Sequence, residues 1–105
     1  ARIRELKAAA CRELRDIPQP KCGVDPLALV AAMRRVLPED ALLFTDVSAT
    51  EHLAAEFYQV TQPRTYFNPV DNQAMGWSIP AAIGAQKVHH GTVVATLTGD
   101  GCALM

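Results

Sequence analysis

The chain has 105 residues, enough for one domain at most. Half of them are hydrophobic, which suffices for a core and argues against intrinsic disorder. A net charge of −1 leaves no electrostatic footprint for nucleic acid or an anionic membrane, and no apolar stretch approaches the ~20 residues of a membrane span.

Residues 2–16 are rich in Ala, Leu, Arg and Glu, which predicts a connecting helix with Ile3, Leu6, Ala10, Leu14 and Ile17 roughly on one face. Residues 17–23 carry Pro18, Pro20 and Gly23 and read as a linker. Asp25-Pro26 then starts a helix, with Asp as N-cap and Pro in the first helical position. Leu29, Val30, Met33, Val36 and Leu37 recur at helical spacing. Arg34 and Arg35 lie where a helix favours cations, and Pro38 stops it.

Residues 41–45, Ala-Leu-Leu-Phe-Thr, predict a short buried strand with Asp46 at its carboxyl end. Ser48-Ala49-Thr50-Glu51 fits a capping box, with Ser48 as cap and Glu51 reaching back. Leu53, Phe57 and Val60 mark the stripe of the helix that follows, which should end before Pro63. A further short strand is expected at 65–67, then a polar loop from Asn68 to Trp77. Pro80 is tolerated in a first helical turn, so a helix should begin near Ser78 or Ile79 and run to about Val88. His89-His90-Gly91 turns the chain into a β-branched run at 92–98, which predicts a strand buried on both faces. Strands alternating with helices imply an α/β fold, a doubly wound parallel sheet with helices on both faces.

The last strand leads into Gly99-Asp100-Gly101, and Cys102 to Met105 read as the first turn of a helix. Strand, glycine turn and helix start together form an anion site, because free N–H groups and the helix dipole favour phosphate. Asp100 adds a hard oxygen ligand suited to Mg2+. The alternative for Asp100 is a helix cap. The three cysteines have no paired spacing, which speaks against zinc and a disulfide framework and for a reducing, cytoplasmic setting. From residue 41 onward two basic residues, Arg64 and Lys87, face five acids: Asp46, Glu51, Glu56, Asp71 and Asp100. So charge-poor a half is expected to bury surface against other domains. The chain begins without Met and ends inside an apolar run, so we expect it to be a piece of something longer.

DVSATEHLAAEFY, AMGWSIPAAIGAQ and VVATLTGDGCALM, in this order, closely resemble three successive blocks of thiamine-diphosphate-dependent enzymes. The resemblance covers about residues 25–105 and is best to the acetolactate synthase-like branch, which decarboxylates or carboligates 2-oxo acids. It implies a connecting helix and linker at 1–24 and a truncated C-terminal diphosphate-binding domain at 25–105. Carried over by position, Asp100 would hold magnesium, and Gly99, Gly101 and Cys102 would cradle the diphosphate. Ser48, Ala49 and Thr50 would contribute backbone contacts where many synthases carry Gly-Gln-His. Met75 would wedge between the cofactor rings and enforce a bent shape, with Ala74 beside it. The Gln73 carbonyl, at a position where relatives often carry Gly, would accept from the pyrimidine amino group. The resemblance further implies that the cofactor carbanion attacks the 2-oxo carbon and that its ring takes up the electrons after decarboxylation.

No catalytic residue is expected within these 105 residues. The resemblance places the activating glutamate on a pyrimidine-binding domain of the same or a neighbouring subunit, and the second metal-binding side chain past Met105. A homo-oligomer is implied for the whole enzyme, and little or no cofactor binding and no turnover for the fragment alone. Two rivals stand beside this reading. One is a non-catalytic assembly module that keeps the fold. The other is an unrelated nucleotide-binding domain, disfavoured by the lack of GxGxxG or P-loop spacing. The alternative for Met75 is a core methionine. Asp46 is expected to be structural and Glu51 a cap, with His52, His89 and His90 solvated. Cys102 is expected to be a buried neighbour of the phosphate, not a nucleophile.

Overall fold

The computed structural model describes residues 2–13 and 22–105. The expected end of the first helix, with Leu14 and Ile17, and most of the linker, with Pro18 and Pro20, lie outside the described residues. Three strands, β1 (Leu42–Thr45), β2 (Tyr66–Phe67) and β3 (Val94–Leu97), form one parallel sheet in the order β2-β1-β3. Leu43 pairs with Tyr66 on one side and with Ala95 on the other. The helices are α1 (Arg2–Glu13), α2 (Pro26–Val36), α3 (Ala49–Phe57), α4 (Ser78–Val88) and the single turn α5 (Asp100–Ala103).

Topology puts helices on both faces of the sheet. From β1 the chain passes through α3 to β2, then returns through α4, across β1, to β3 on the far side. Parallel crossovers are right-handed, so two crossovers in opposite directions send their helices to opposite faces. Side-chain alternation agrees. Leu43 and Leu97 form the core on one face with Val30 of α2, and with Ala54 and Tyr58 of α3 and its cap. The alternate residues meet α4 and its cap: the Phe44 ring lies 5.8 Å from that of Trp77, and Thr96 Oγ1 donates to Ser78 Oγ at 2.9 Å.

The strand buried on both faces is β1, all four of whose residues are buried. The expectation that the last strand would be so is corrected: β3 lies at the sheet edge among the described residues, with Val93 and Thr96 exposed and Leu97 buried. Both runs are short and largely apolar, so composition does not separate centre from edge.

Local chemistry sets the helix ends. Asp25 Oδ1 accepts from the Leu27 and Ala28 amides at 2.7 and 3.2 Å, with Pro26 in the first position. Leu29, Val30 and Met33 pack inward, whereas Val36 is exposed. Ser48 Oγ accepts from the Glu51 amide at 3.3 Å, but the return half of the expected capping box is not made. Glu51 is buried instead, and its Oε1 accepts from Asn68 Nδ2 at 3.1 Å. A tertiary partner outcompetes the local one. Of the residues expected on one face of α1, Ile3 and Leu6 are exposed.

Candidate functional site

Doubly wound sheets bind ligands outside the carboxyl ends of their strands, where consecutive connections leave in opposite directions. Here that point lies between β1 and β3, because β1 connects toward β2 and β3 lies on the other side. Three loops meet there: the residues after β1, the 68–77 segment before α4, and the turn after β3.

Asp46 ties two of them together. Its side chain is fully buried and accepts from three amides, those of Val47 at 2.9 Å, Gly76 at 3.1 Å and Ser78 at 2.9 Å. Since Trp77, the cap residue of α4, offers no side-chain acceptor, Asp46 caps that helix from 32 residues away. Burial pushes the Asp46 carboxyl up, but the Ser78, Val47 and Cys102 donors outweigh it and hold the group below its usual value. The structural role expected for this residue is the one found. The third loop joins through Cys102, whose buried thiol donates to the Val47 carbonyl at 2.9 Å. Burial raises that thiol, the nearby Asp46 and Asp100 carboxylates add to the rise, and the Gly76 amide opposes it. Cys102 is therefore held as a protonated donor, not as a thiolate.

The glycines matter here for space. A Cβ on Gly99 would stand 3.3 Å from Ser48 Cβ, and one on Gly101 would stand 3.9 Å from Met75 Cε. Neither residue takes a positive φ, so at Gly99 the reason for glycine is the close approach of Ser48, whereas a Cβ on Gly101 would make only an ordinary contact with Met75. Left-handed backbone occurs instead at Gly76, φ 80°, and at Gln73, φ 51°. The conformation of Gln73 is one that glycine adopts without strain.

Ser48 thus neighbours Gly99 and Met75 neighbours Gly101, while Cys102 is tied to Val47 in the loop after β1. Thr50 joins through a 2.7 Å hydrogen bond between its hydroxyl and that of Ser48. Ala49 is exposed on the first turn of α3. Gln73 and Ala74 lie two and one residues before Met75, with Gln73 held by its amide bond to the Pro69 carbonyl at 2.9 Å. Asp100 is exposed in the first turn of α5, which has no side-chain cap. Met75 is about half exposed, at 47%. Among the described residues no three His, Cys, Asp or Glu side chains cluster to hold a metal, so Asp100 would be a single side-chain ligand. His52, His89 and His90 are exposed.

Sequence reasoning missed the burial of Glu51 and its partner Asn68. A carboxylate three residues after Ser48 has an ordinary local reading, and the bond that replaces it spans 17 residues.

Residues 46–105, more than half of the chain, match the family described as thiamine pyrophosphate enzyme, C-terminal TPP binding domain. The chain is 32% identical over 88 residues to an acetolactate synthase of Mycobacterium bovis, covering 84% of this chain and 14% of that protein. It is 30% identical over 103 residues to the acetolactate synthase large subunit of Haemophilus influenzae, covering 98% and 18%. It is also 30% identical over 82 residues to the chloroplastic acetolactate synthase 2 of Brassica napus, covering 78% and 13%. The chain thus spans less than a fifth of the length of these relatives. With the loops converging at the switch point of a parallel sheet, these matches make the chain a member of the thiamine pyrophosphate enzymes, from the C-terminal cofactor-binding domain of their acetolactate synthase-like branch.

Proposed function

We propose that this chain supplies the diphosphate- and magnesium-holding half of the active site of a longer enzyme acting on 2-oxo acids, by decarboxylation or carboligation. The observation that carries the reading is the meeting of three separated segments at one strand end, with Ser48 against Gly99 and Met75 against Gly101. The residues present fit the group. Asp100 offers an exposed carboxylate in an uncapped helical turn, suited to a cation that brings phosphate with it. The small residues Gly99 and Gly101 leave the backbone approachable. Met75 presents a half-exposed thioether beside them, an apolar surface on which the cofactor rings would rest.

When bound, thiamine diphosphate supplies the electron sink for cleavage next to a carbonyl. This chain's residues would anchor the diphosphate end through Asp100 and the turn at 99–102 and would support the rings at Met75. The activating glutamate and the second metal ligand come, on this reading, from a pyrimidine-binding domain and from further chain of a homo-oligomer. Exposed Ile83 and Val88 on α4 are surface that such neighbours would cover. The free thiols Cys22 and Cys102 fit a reducing compartment, which we take to be the cytoplasm.

The test uses the full-length enzyme, titrated with thiamine diphosphate and Mg2+ and assayed for carbon dioxide release from a 2-oxo acid. Binding with turnover supports the reading. Binding without turnover supports an inert module that keeps the fold, and preference for ATP or NAD supports an unrelated nucleotide site. Asp100→Asn should weaken Mg2+-dependent cofactor binding by about tenfold or more, the loss of one charged ligand. Unchanged binding in that variant would remove Asp100 from the metal site.

A further inference from the structure

Two carboxylates bracket the 68–76 loop. At its far end Asp46 accepts from Gly76 and, just beyond, from Ser78, and all its contacts come from good donors. At its near end Glu51 accepts from the Asn68 side chain at 3.1 Å. Between these ends the hydrogen bonds made by residues 69–75 are internal to the loop: Gln73 to the Pro69 and Val70 carbonyls, and the Ala74 amide to Asn72 Oδ1. The loop's reach to Met75 is therefore set by its two clamps.

Glu51 is an unusual clamp. It is 3% exposed, its Oε2 has no hydrogen-bond partner, and the nearest cation-capable group, His52 Nδ1, lies 3.7 Å away on a solvent-exposed ring. A buried polar atom without a partner opposes stability, so its presence calls for a reason. Position in the first turn of α3, where an anion is favoured, offsets part of that cost. The remainder is explained by what Oε1 does. Asn68 directly follows β2, so fixing its side chain to α3 sets the angle at which the loop departs toward the strand end. The half-buried Tyr66, two residues before Asn68, has its hydroxyl 3.3 Å from Thr45 Oγ1 at the end of β1.

We propose that Glu51 is a positioning residue: through the Asn68 amide it fixes the near end of the 68–76 loop, and with it Met75 against the turn at 99–102. The consequence for cofactor binding rests on the function proposed above; the tether itself does not.

The experiment uses the full-length enzyme and its variants Glu51→Ala, Glu51→Gln and Asn68→Ala. Hydrogen–deuterium exchange of peptides spanning 68–77 is followed in cofactor-free protein, and thiamine diphosphate affinity is measured separately. Both alanine variants should exchange about tenfold faster across the loop, with β1 and α4 unchanged. Glu51→Gln keeps the acceptor and should exchange at the wild-type rate. Glu51→Ala and Asn68→Ala combined should exchange no faster than either alone, as expected for two ends of one bond. Each alanine variant should also bind thiamine diphosphate about tenfold more weakly, with Glu51→Gln near wild type. Unchanged exchange in Glu51→Ala, a Gln variant as fast as the Ala variant, or additive effects would overturn the tether. If Glu51→Ala fails to fold, Asn68→Ala and Glu51→Gln decide by the same exchange criterion. A wild-type enzyme that does not bind thiamine diphosphate would overturn the functional reading, while the exchange rates still decide the tether.

Discussion

Asp46 carries its charge in full burial without a cation beside it among the described residues. Three amides, helped by the Ser78 hydroxyl, do the work of a counter-ion, and they favour the ionised form. The folded chain therefore binds this proton less readily than the unfolded chain, whose carboxyl titrates near 3.8. The resulting stability is fully present above that value and is lost as pH falls through the lower, folded one. Denaturant midpoints measured from pH 6 downward should show this acid-side loss, and Asp46→Asn should flatten it. At neutral pH the same variant should lose about 3 kcal/mol, because an amide donor would replace an acceptor facing backbone N–H groups. At Gln73 and Gly76 the left-handed backbone gives opposite expectations. Gln73→Gly should be neutral or stabilising by up to ~1 kcal/mol, by relief of strain. Gly76→Ala should cost about 2 kcal/mol, since its Cβ would also lie 2.8 Å from Met105 Cβ. Thermal unfolding of the two variants checks the pair.

At the scale of elements, α2 and α3 are held together at one end by Arg34. Its guanidinium donates to the Leu37 and Pro38 carbonyls at 2.7 and 2.6 Å and to the Tyr58 hydroxyl at 2.9 Å, with Cζ 5.2 Å from the Tyr58 ring centroid. Arg34→Ala should lower stability by about 2 kcal/mol and Tyr58→Phe by about 1 kcal/mol, read from denaturant midpoints. The ends of these elements were legible in the sequence wherever a residue type has one local use. Asp25-Pro26 started α2, Pro80 placed the start of α4 at Ser78, and Ser48 capped α3. Of the strand-end loops, the residues alone marked only the turn after the last strand, through Gly99-Asp100-Gly101, whereas Met75 was singled out by the resemblance and not by its local pattern. What the sequence hid depends on distant partners. Glu51 looked like half of a capping box until Asn68 was placed beside it, and Val94 to Leu97 looked central until Leu42 to Thr45 took the middle. Periodicity reports local surroundings, and neither of those facts is local.

At the scale of the molecule, the candidate site draws on residues near 48, 75 and 100, so its geometry exists only when the sheet is assembled in order. The sheet, in turn, has no hairpin. Leu42 aligns with Val94, 52 residues later (94 minus 42), and a chain leaving the ribosome at roughly 5–20 residues per second would need about 3–10 s to supply that partner. During that interval Leu42, Leu43 and Phe44 have one short neighbour, Tyr66–Phe67, on one side and nothing on the other. The nascent polypeptide therefore leaves one edge of its central strand unpaired for seconds after that strand has emerged, an open ladder exposed to mispairing during synthesis.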